Sequence, residues 1–373
     1  MPRPLGVAVV GIGWVAVQHI TAFRRNPHAR VVLLCTRDER RAAERLRTAG
    51  VTLEHVRYTT RYADVLKARD VEIVSIATPN HLHARQAVQA AHAGKHILLE
   101  KPTGLDTREL TQIRDAVRRA RVRTIVSFEL HYNPYLRFAH WLREAGWLGA
   151  LRFARVQYLS RVTDWYSGWS WVRTRASGRS HLLAAGCHAV DALRWCTGLE
   201  AADVSAYHTR FTAGYEWPTS IAVNLRMGPS RPRRAPVLGQ IVSSTDFQMP
   251  YAFSVEMMGD RATLRDDLIL WNDEPFPVDA LREACPFPDV SFSPAALPTG
   301  AQAIKVQAEM PGTADVSHHP FQGEIDELVA CVLEGRETHL NVHDAQKTME
   351  ICLAADRSAE RGGRPVRLPL LKS

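Results

Sequence analysis

The chain reads as an α/β protein in two parts, a doubly wound parallel sheet first and then a second α/β domain on a large, mostly antiparallel sheet. Three observations predict this. An apolar strand runs through a glycine turn into a helical pattern at residues 6–23. Short apolar runs then alternate with helical patterns as far as Phe128, and from about Asp203 period-2 segments separated by turns take over. The 373 residues are enough for two domains, and 46% hydrophobic with 23% charged residues is ordinary for a globular chain.

The net charge of +8 comes from arginine-rich faces of amphipathic helices, such as Arg40-Arg41 and Arg118-Arg119-Ala-Arg121-Val-Arg123. No aromatic-interleaved basic strip accompanies them, so no nucleic-acid partner is expected. The six cysteines are scattered without a CxxC pair, which argues against a disulfide framework or a zinc ribbon. No apolar run approaches a membrane span and the N-terminus enters a strand almost at once, so neither a signal peptide nor a membrane partner is expected; a cytoplasmic protein with reduced thiols is the economical reading.

Taken in order, Val7 to Val10 is the first strand, and the turn Gly11-Ile12-Gly13-Trp14-Val15-Ala16 leads into a helix over Val17 to Phe23. Gly11 permits the tight turn, Gly13 lets backbone N–H groups approach a pyrophosphate, and Ala16 allows close helix–strand packing: the dinucleotide fingerprint of a Rossmann domain. The second strand, Arg30 to Cys35, ends at Thr36-Arg37-Asp38. Thr36 and Arg37 stand where an acidic residue would repel a 2′-phosphate, which leans the cofactor toward NADP, while an inward Asp38 would serve NAD.

Tyr62 to Lys67 is read as a helix and Val71 to Asn80 as the third parallel strand, ending in Thr78-Pro79-Asn80 at the sheet edge where a cofactor lies. His81-Leu82-His83 opens the next helix. Histidines two apart do not face one ligand on a helix, so no metal is expected there. The strand Ile97 to Leu99 delivers Glu100 and Lys101 at its C-terminal end, with Pro102 fixing the backbone that aims the ammonium; there a lysine beside a carboxylate can share and pass a proton. A helix capped by Asp106 or Thr107 and a strand over Thr124 to Phe128 complete the parallel part.

Three motifs, Gly11-Ile-Gly-Trp-Val-Ala16, Ala77-Thr-Pro-Asn-His-Leu-His83 and Glu100-Lys101-Pro102, together resemble the Gfo/Idh/MocA oxidoreductase family in order and spacing. His131-Tyr-Asn-Pro134 and Gly186-Cys-His-Ala-Val-Asp191 fall where that family has counterparts. The resemblance implies a Rossmann domain over 1–129, a substrate-binding and oligomerisation domain over 130–373, and a nicotinamide cofactor between them. It implies reversible oxidation of a hydroxyl on a sugar, sugar derivative or cyclitol. The cofactor-binding set is then Gly11, Ile12, Gly13, Trp14, Val15, Thr36, Arg37, Thr78, Asn80, His83, Glu100 and Lys101, and His188 carries over as acid/base beside Lys101.

In the second half Leu151 to Ser160 alternates as a strand, followed by Trp165, Trp169 and Trp171. Aromatic faces suit sugar rings, although core packing beneath a loop reads equally well, and the resemblance tips the cluster, with His131 and Asn133, toward substrate. Ser180 to Trp195 reads as one amphipathic helix placing His181, Ala184, His188, Asp191 and Trp195 along one stripe. The family pattern has a carboxylate four residues before the histidine; here that position is Ala184. His181 could substitute, or Asp191 could support His188.

Beyond Asp203, Ser220 to Arg226, Gly239 to Ser243 and Phe253 to Met258 suit an antiparallel sheet, with a hairpin turn at Gly259-Asp260 into Ala262 to Leu264. Gly228 to Pro236 reads as a polar loop and Asp273 to Thr313 as a proline-rich irregular excursion. His318 and His319, either lining the active site or standing in solvent, precede a helix ending at Gly335, and a helix over Asp344 to Arg361 leads to a closing strand at Pro365 to Leu368. A broad sheet with one face bare of helices suggests a homodimer or homotetramer. Two other functions stay open: a glycosidase on the same scaffold working by oxidation, elimination and reduction, and a dinucleotide-binding sensor without catalysis.

Overall fold

The computed structural model describes residues 3–164, 166, 168–228, 235–272, 275–297, 302–310 and 319–371. They form two compact units, one of Met1–Glu129, Val162–Arg179 and Phe321–Met349, the other of Leu130–Arg161, Ser180–Pro320 and Glu350–Ser373.

In the first unit the chain runs β1 (Leu5–Val10), α1 (Trp14–Arg25), β2 (Ala29–Cys35), α2 (Glu39–Thr48), β3 (Arg57–Thr59), α3 (Tyr62–Lys67), β4 (Ile73–Ile76), α4 (Asn80–His92), β5 (His96–Leu99), α5 (Thr107–Ala120) and β6 (Thr124–Val126). All six strands are parallel in the order β3-β2-β1-β4-β5-β6. This is the doubly wound order, whose switch point lies between β1 and β4. Val7, Ala8, Val9 and Val10 are all buried, as are Ile97, Leu98 and Leu99, because helices cover both faces of a parallel sheet and leave no polar side. The short strand β3 is absent from the sequence reading, since Arg57-Tyr58-Thr59 has no apolar run and is paired only with β2 at the edge.

Local capping sets the helix starts. Asp106 Oδ1 accepts from Glu109 N at 2.8 Å while Glu109 Oε2 accepts from Leu105 N at 2.7 Å, a capping-box arrangement that fixes α5 just beyond Lys101.

The chain continues through α6 (Pro134–Glu144), β7 (Leu151–Leu159), the single turn α7 (Trp169–Val172), a π-helical turn at Leu182–Gly186, α8 (Cys187–Thr197), β8 (Ala201–Thr209), β9 (Ser220–Met227), β10 (Val237–Ser244), β11 (Ala252–Gly259), β12 (Thr263–Arg265) and β13 (Leu268–Trp271). It ends with α9 (Val278–Ala284), β14 (Val290–Ala296), β15 (Gln302–Ala308), α10 (Gln322–Glu334), α11 (Val342–Glu360) and β16 (Val366–Arg367). The second unit holds a ten-stranded sheet in the order β14-β15-β13-β12-β11-β7-β10-β9-β8-β16. Only the β7–β10 pair is parallel. β9 alternates buried and exposed residues along its length, as a strand with one face on a core and one uncovered must.

The span 273–313 is not irregular throughout: among its described residues are α9 and the hairpin strands β14 and β15, which extend the sheet past β13. Proline suggested loop there, yet Pro294 is tolerated on β14, the strand at the sheet edge. The helix read over Ser180 to Trp195 opens instead with the π-helical turn before α8. Trp165, His318 and residues 229–234 lie outside the described residues.

Candidate functional site

Gly11 carries φ +84, and a Cβ there would meet the Ala77 carbonyl oxygen at 2.6 Å, so the turn at the end of β1 requires glycine. Gly13, the N-cap of α1, differs: a Cβ added there meets nothing within 4 Å. No side chain caps α1 and its first turn has no acidic residue, which leaves the N-terminal N–H groups of that helix without a capping side chain. An uncapped helix N-terminus above a bare glycine fits a dinucleotide pyrophosphate. Ile12 is buried and its carbonyl accepts from Arg45 at 2.7 Å, which pins the turn from α2, while Trp14 is 44% exposed at the first position of α1 and Val15 is half-buried.

At the end of β2, Asp38 is the N-cap of α2, its Oδ1 accepting from Arg41 N at 3.0 Å. The inward Asp38 weighed from the sequence therefore has another occupation. Thr36 Oγ1 lies 3.3 Å from Asp38 N and 3.2 Å from its carbonyl, and Arg37 is exposed.

At the ends of β4 and β5, Thr78 Oγ1 donates to Gln86 at 2.6 Å and Asn80 Nδ2 donates to the Ser177 carbonyl at 3.0 Å. The His83 ring lies fully buried between two carbonyls, with Nδ1 2.8 Å from Pro102 O and Nε2 2.7 Å from Thr78 O. Burial lowers its pKa, against the two carbonyls and Glu100, so the neutral ring holds one N–H to share between them. His83 thus ties the segment carrying Lys101 to the end of β4. The Glu100 carboxyl would be raised by burial, but the His19 contact, the Lys101 charge and the Ser127 hydroxyl outweigh this and hold it below its ordinary value.

Residues 162–179 belong to this unit as well. Ser177 bonds Asn80 and His81, and Arg179 donates to the Leu105 carbonyl at 2.8 Å. Half-buried Tyr166 packs edge-on to Trp171 at 6.1 Å, and Gly168 is wedged between those two rings. Lys101 and Glu100 both act on the Tyr166 hydroxyl, whose pKa is raised chiefly by burial. Trp169 and Trp171 thus sit in the same unit as Lys101.

The second unit gathers the remaining candidates on α8 and the strands beneath it. His188 is 2% exposed, its ring near-parallel to Tyr158 at 5.9 Å and edge-on to His319 at 5.6 Å. Tyr251 lies 5.5 Å from Tyr158 and 5.8 Å from His319, so the histidine is set among aromatic and imidazole rings. His181 Nδ1 is 2.7 Å from Ser243 Oγ and its Nε2 3.2 Å from Ser160 Oγ. Asp191 Oδ2 lies 2.7 Å from His131 Nε2, and the His131 ring stacks on Trp195 at 4.0 Å. Asn133 is the N-cap of α6, its Oδ1 accepting from Leu136 N at 3.2 Å. Asp191 and Asn133 therefore have structural partners that helical spacing did not reveal.

Sequence reasoning missed Tyr158, Tyr166 and Tyr251, and also a buried group behind Glu100 made of His19, Ser127 and Glu324. The last left a trace: Glu324 is an acidic residue on the apolar stripe of α10 with Phe321, Ile325 and Leu328.

A family model described as "Oxidoreductase family, NAD-binding Rossmann fold" matches residues 5–128, and one described as "GFO/IDH/MocA C-terminal domain" matches residues 136–265. Among curated proteins, an uncharacterized oxidoreductase of Synechocystis sp. is 31% identical over 196 residues, 52% of this chain and 52% of that protein. Levoglucosan dehydrogenase of Pseudarthrobacter phenanthrenivorans is 30% identical over 208 residues, 52% of this chain and 51% of that enzyme. The chain thus spans about half the length of these two relatives. Among solved structures, GenD2 from gentamicin A biosynthesis in complex with NAD is 25% identical with a TM-score of 0.77, over 99% of this chain and 97% of that one. With its doubly wound sheet, its uncapped glycine turn and both family models matched in sequence order, the chain belongs to the Gfo/Idh/MocA oxidoreductase family and carries an NAD-binding Rossmann domain.

Proposed function

We propose that the protein is an NAD(P)-dependent oxidoreductase that interconverts a hydroxyl and a carbonyl on a sugar, sugar derivative or cyclitol. The observation that carries this is Lys101, delivered next to a buried Glu100 at the C-terminal end of β5 in a sheet whose switch point is built for a dinucleotide. A bound nicotinamide supplies or accepts the hydride. In oxidation Lys101 takes the hydroxyl proton, and Glu100, held as a carboxylate, stabilises the resulting ammonium. His188 shares that proton transfer, the pairing the family resemblance implies, while His83 holds the backbone around Lys101 in place. His319, Tyr158 and Tyr251 around His188, together with Trp169 and Trp171, are assigned to substrate. The residues beyond 130 in the second unit form the substrate and oligomerisation domain.

The test is the absorbance of reduced nicotinamide with NAD or NADP and a panel of sugars, sugar acids and inositols. The relative named for levoglucosan puts sugars first in that panel. Lys101→Ala should lower kcat by about 10²–10⁴-fold. Wild-type turnover surviving in the variant would remove Lys101 from the mechanism. Ala184, in place of the family's carboxylate, is the ground for two other readings, an oxidation–elimination–reduction glycosidase and a dinucleotide-binding sensor without catalysis. Release of aglycone from a glycoside with no net nicotinamide change would select the glycosidase, and tight dinucleotide binding without any turnover would select the sensor.

A further inference from the structure

Behind Glu100, inside the first unit, a cluster of ionisable groups is closed off from water. His19 from α1, Ser75 from β4, Ser127 after β6 and Glu324 from α10 are each 0% exposed, with Glu100 at 7% and Glu129 at 3%. His19 Nδ1 lies 2.9 Å from Ser75 Oγ, and its Nε2 faces both carboxyls, 3.3 Å from Glu100 Oε1 and 3.6 Å from Glu324 Oε1. Ser127 Oγ donates to Glu324 Oε1 at 3.0 Å. Phe321 closes the side of the cluster, edge-on to His19 at 5.7 Å.

The electrostatic sum favours a single negative carboxyl of this pair. Two carboxylates around one imidazole repel each other, and in a dry interior the repulsion is poorly screened. Glu100 has the nearer approach to His19 and, after that, Lys101 beside it, whereas Glu324, farther from the same ring, faces Glu129 and Glu100, both acidic. Glu324 Oε2 and Glu100 Oε1 both lack a hydrogen-bond partner among the described residues, so charging both carboxyls at once would leave two bare buried carboxylate oxygens. Burial, then Glu129, then Glu100 push the Glu324 carboxyl well above its ordinary value, with only Ser127 opposing.

We propose that Glu324 is a positioning residue for the Glu100–Lys101 pair: standing as a neutral acid across the His19 ring, it leaves Glu100 as the carboxylate presented to Lys101 and so sets the charge state of that lysine. Its bearing on catalysis rests on the oxidoreductase reading above, but the protonation itself does not. The sign is fixed by linkage. A carboxyl whose folded pKa is raised contributes stability that is complete below its unfolded value, ordinarily near 4.5, and lost as pH rises toward the folded one. Glu324→Gln, neutral at every pH, escapes that loss.

Three measurements on the full chain test this without turnover. The infrared spectrum at pH 7 should contain the carbonyl stretch of a protonated carboxylic acid, absent from Glu324→Gln. Glu324→Gln should melt above the wild type at pH 8 and level with it at pH 4. Lys101 is one of six lysines, so its signal after ¹³C-dimethylation can be assigned with Lys101→Arg. Its titration should be unmoved by Glu324→Gln and lowered by about one unit in Glu100→Gln. A variant Glu324→Gln that melts below the wild type at pH 8, or that lowers the Lys101 titration as Glu100→Gln does, would show Glu324 charged and overturn the proposal. With a substrate in hand, Glu324→Leu should lower kcat about tenfold or more with KM little changed, and Glu324→Gln should rescue it. A leucine variant as active as the wild type would leave the acid neutral but without a positioning role. Absence of turnover in every variant, with the spectroscopic and melting results as expected, would fault the oxidoreductase reading and not the cluster.

Discussion

Gly11 and Gly13 sit two residues apart in one turn and do different things. Gly11 needs its positive φ and has the Ala77 carbonyl against it, so Gly11→Ala should destabilise the fold by at least about 1–2 kcal/mol, read as a lower urea midpoint. Gly13 has open space around it and extended backbone, so Gly13→Ala should leave that midpoint unchanged and weaken dinucleotide binding about tenfold or more by calorimetry. Equal loss of stability in both variants would refute the division. Asp38 is committed to capping α2, which leaves Arg37 as the charge at the end of β2. Arg37→Ala should therefore weaken NADP about tenfold while NAD binding changes little; equal effects on both would end the lean toward NADP. The fingerprint spacing made these residues legible in the sequence, but which glycine is held by sterics and which by the ligand was not, because that depends on the approach of β4.

The π-helical turn at Leu182–Gly186 changes what α8 presents. A regular helix would keep His181 and His188 in one stripe, as the sequence suggests; the wider turn lets His181 bond Ser160 and Ser243 while His188 stacks on Tyr158. Gly186 sits against β10 so closely that an added Cβ would lie 2.1 Å from Ser243 Oγ. Gly186→Ala should cost about 1–3 kcal/mol and break the His181–Ser243 bond, observable as a lowered melting temperature and a shifted His181 ring resonance. An unchanged resonance would mean that the turn does not depend on this contact. Nothing in the local residues announces the π turn, since Leu-Leu-Ala-Ala is a good α-helix sequence; the close approach of Gly186 to Ser243 is a contact that only the fold supplies. The hairpin of β14 and β15 was hidden in a similar way, its pairing with β13 supplied from thirty or so residues upstream rather than by a turn signal of its own.

At the scale of the whole molecule, one face of the large sheet carries exposed side chains along several adjacent strands. The pairing registers put Tyr207, Ala222, Asn224, Leu238, Gln240 and Val242 on one face, and Tyr207 and Leu238 are 66% and 51% exposed. A second copy of this chain is the proposed occupant, since the face presents exposed apolar side chains beside the Gln240–Asn224 amide pair and the Arg226–Asp203 ion pair, a mixed surface that a two-fold mate could match with its own. Light scattering should give a dimer or tetramer, and Tyr207→Glu with Leu238→Glu should give a monomer; a monomeric wild type would sink the idea. No helix among the described residues is long and apolar enough to cross a membrane. The sequence by itself determined the Rossmann unit, the strand ends that carry the glycine turn and Lys101, and the antiparallel second sheet, because strand periodicity and turn chemistry are local and survive without tertiary context. Only the tertiary structure decided that residues 162–179 and 321–349 return to the first unit, that Asp191 serves His131, and that Glu324 stands buried behind Glu100. Those facts join residues sixty to three hundred positions apart, and a buried polar group finds its partner through the fold rather than through spacing.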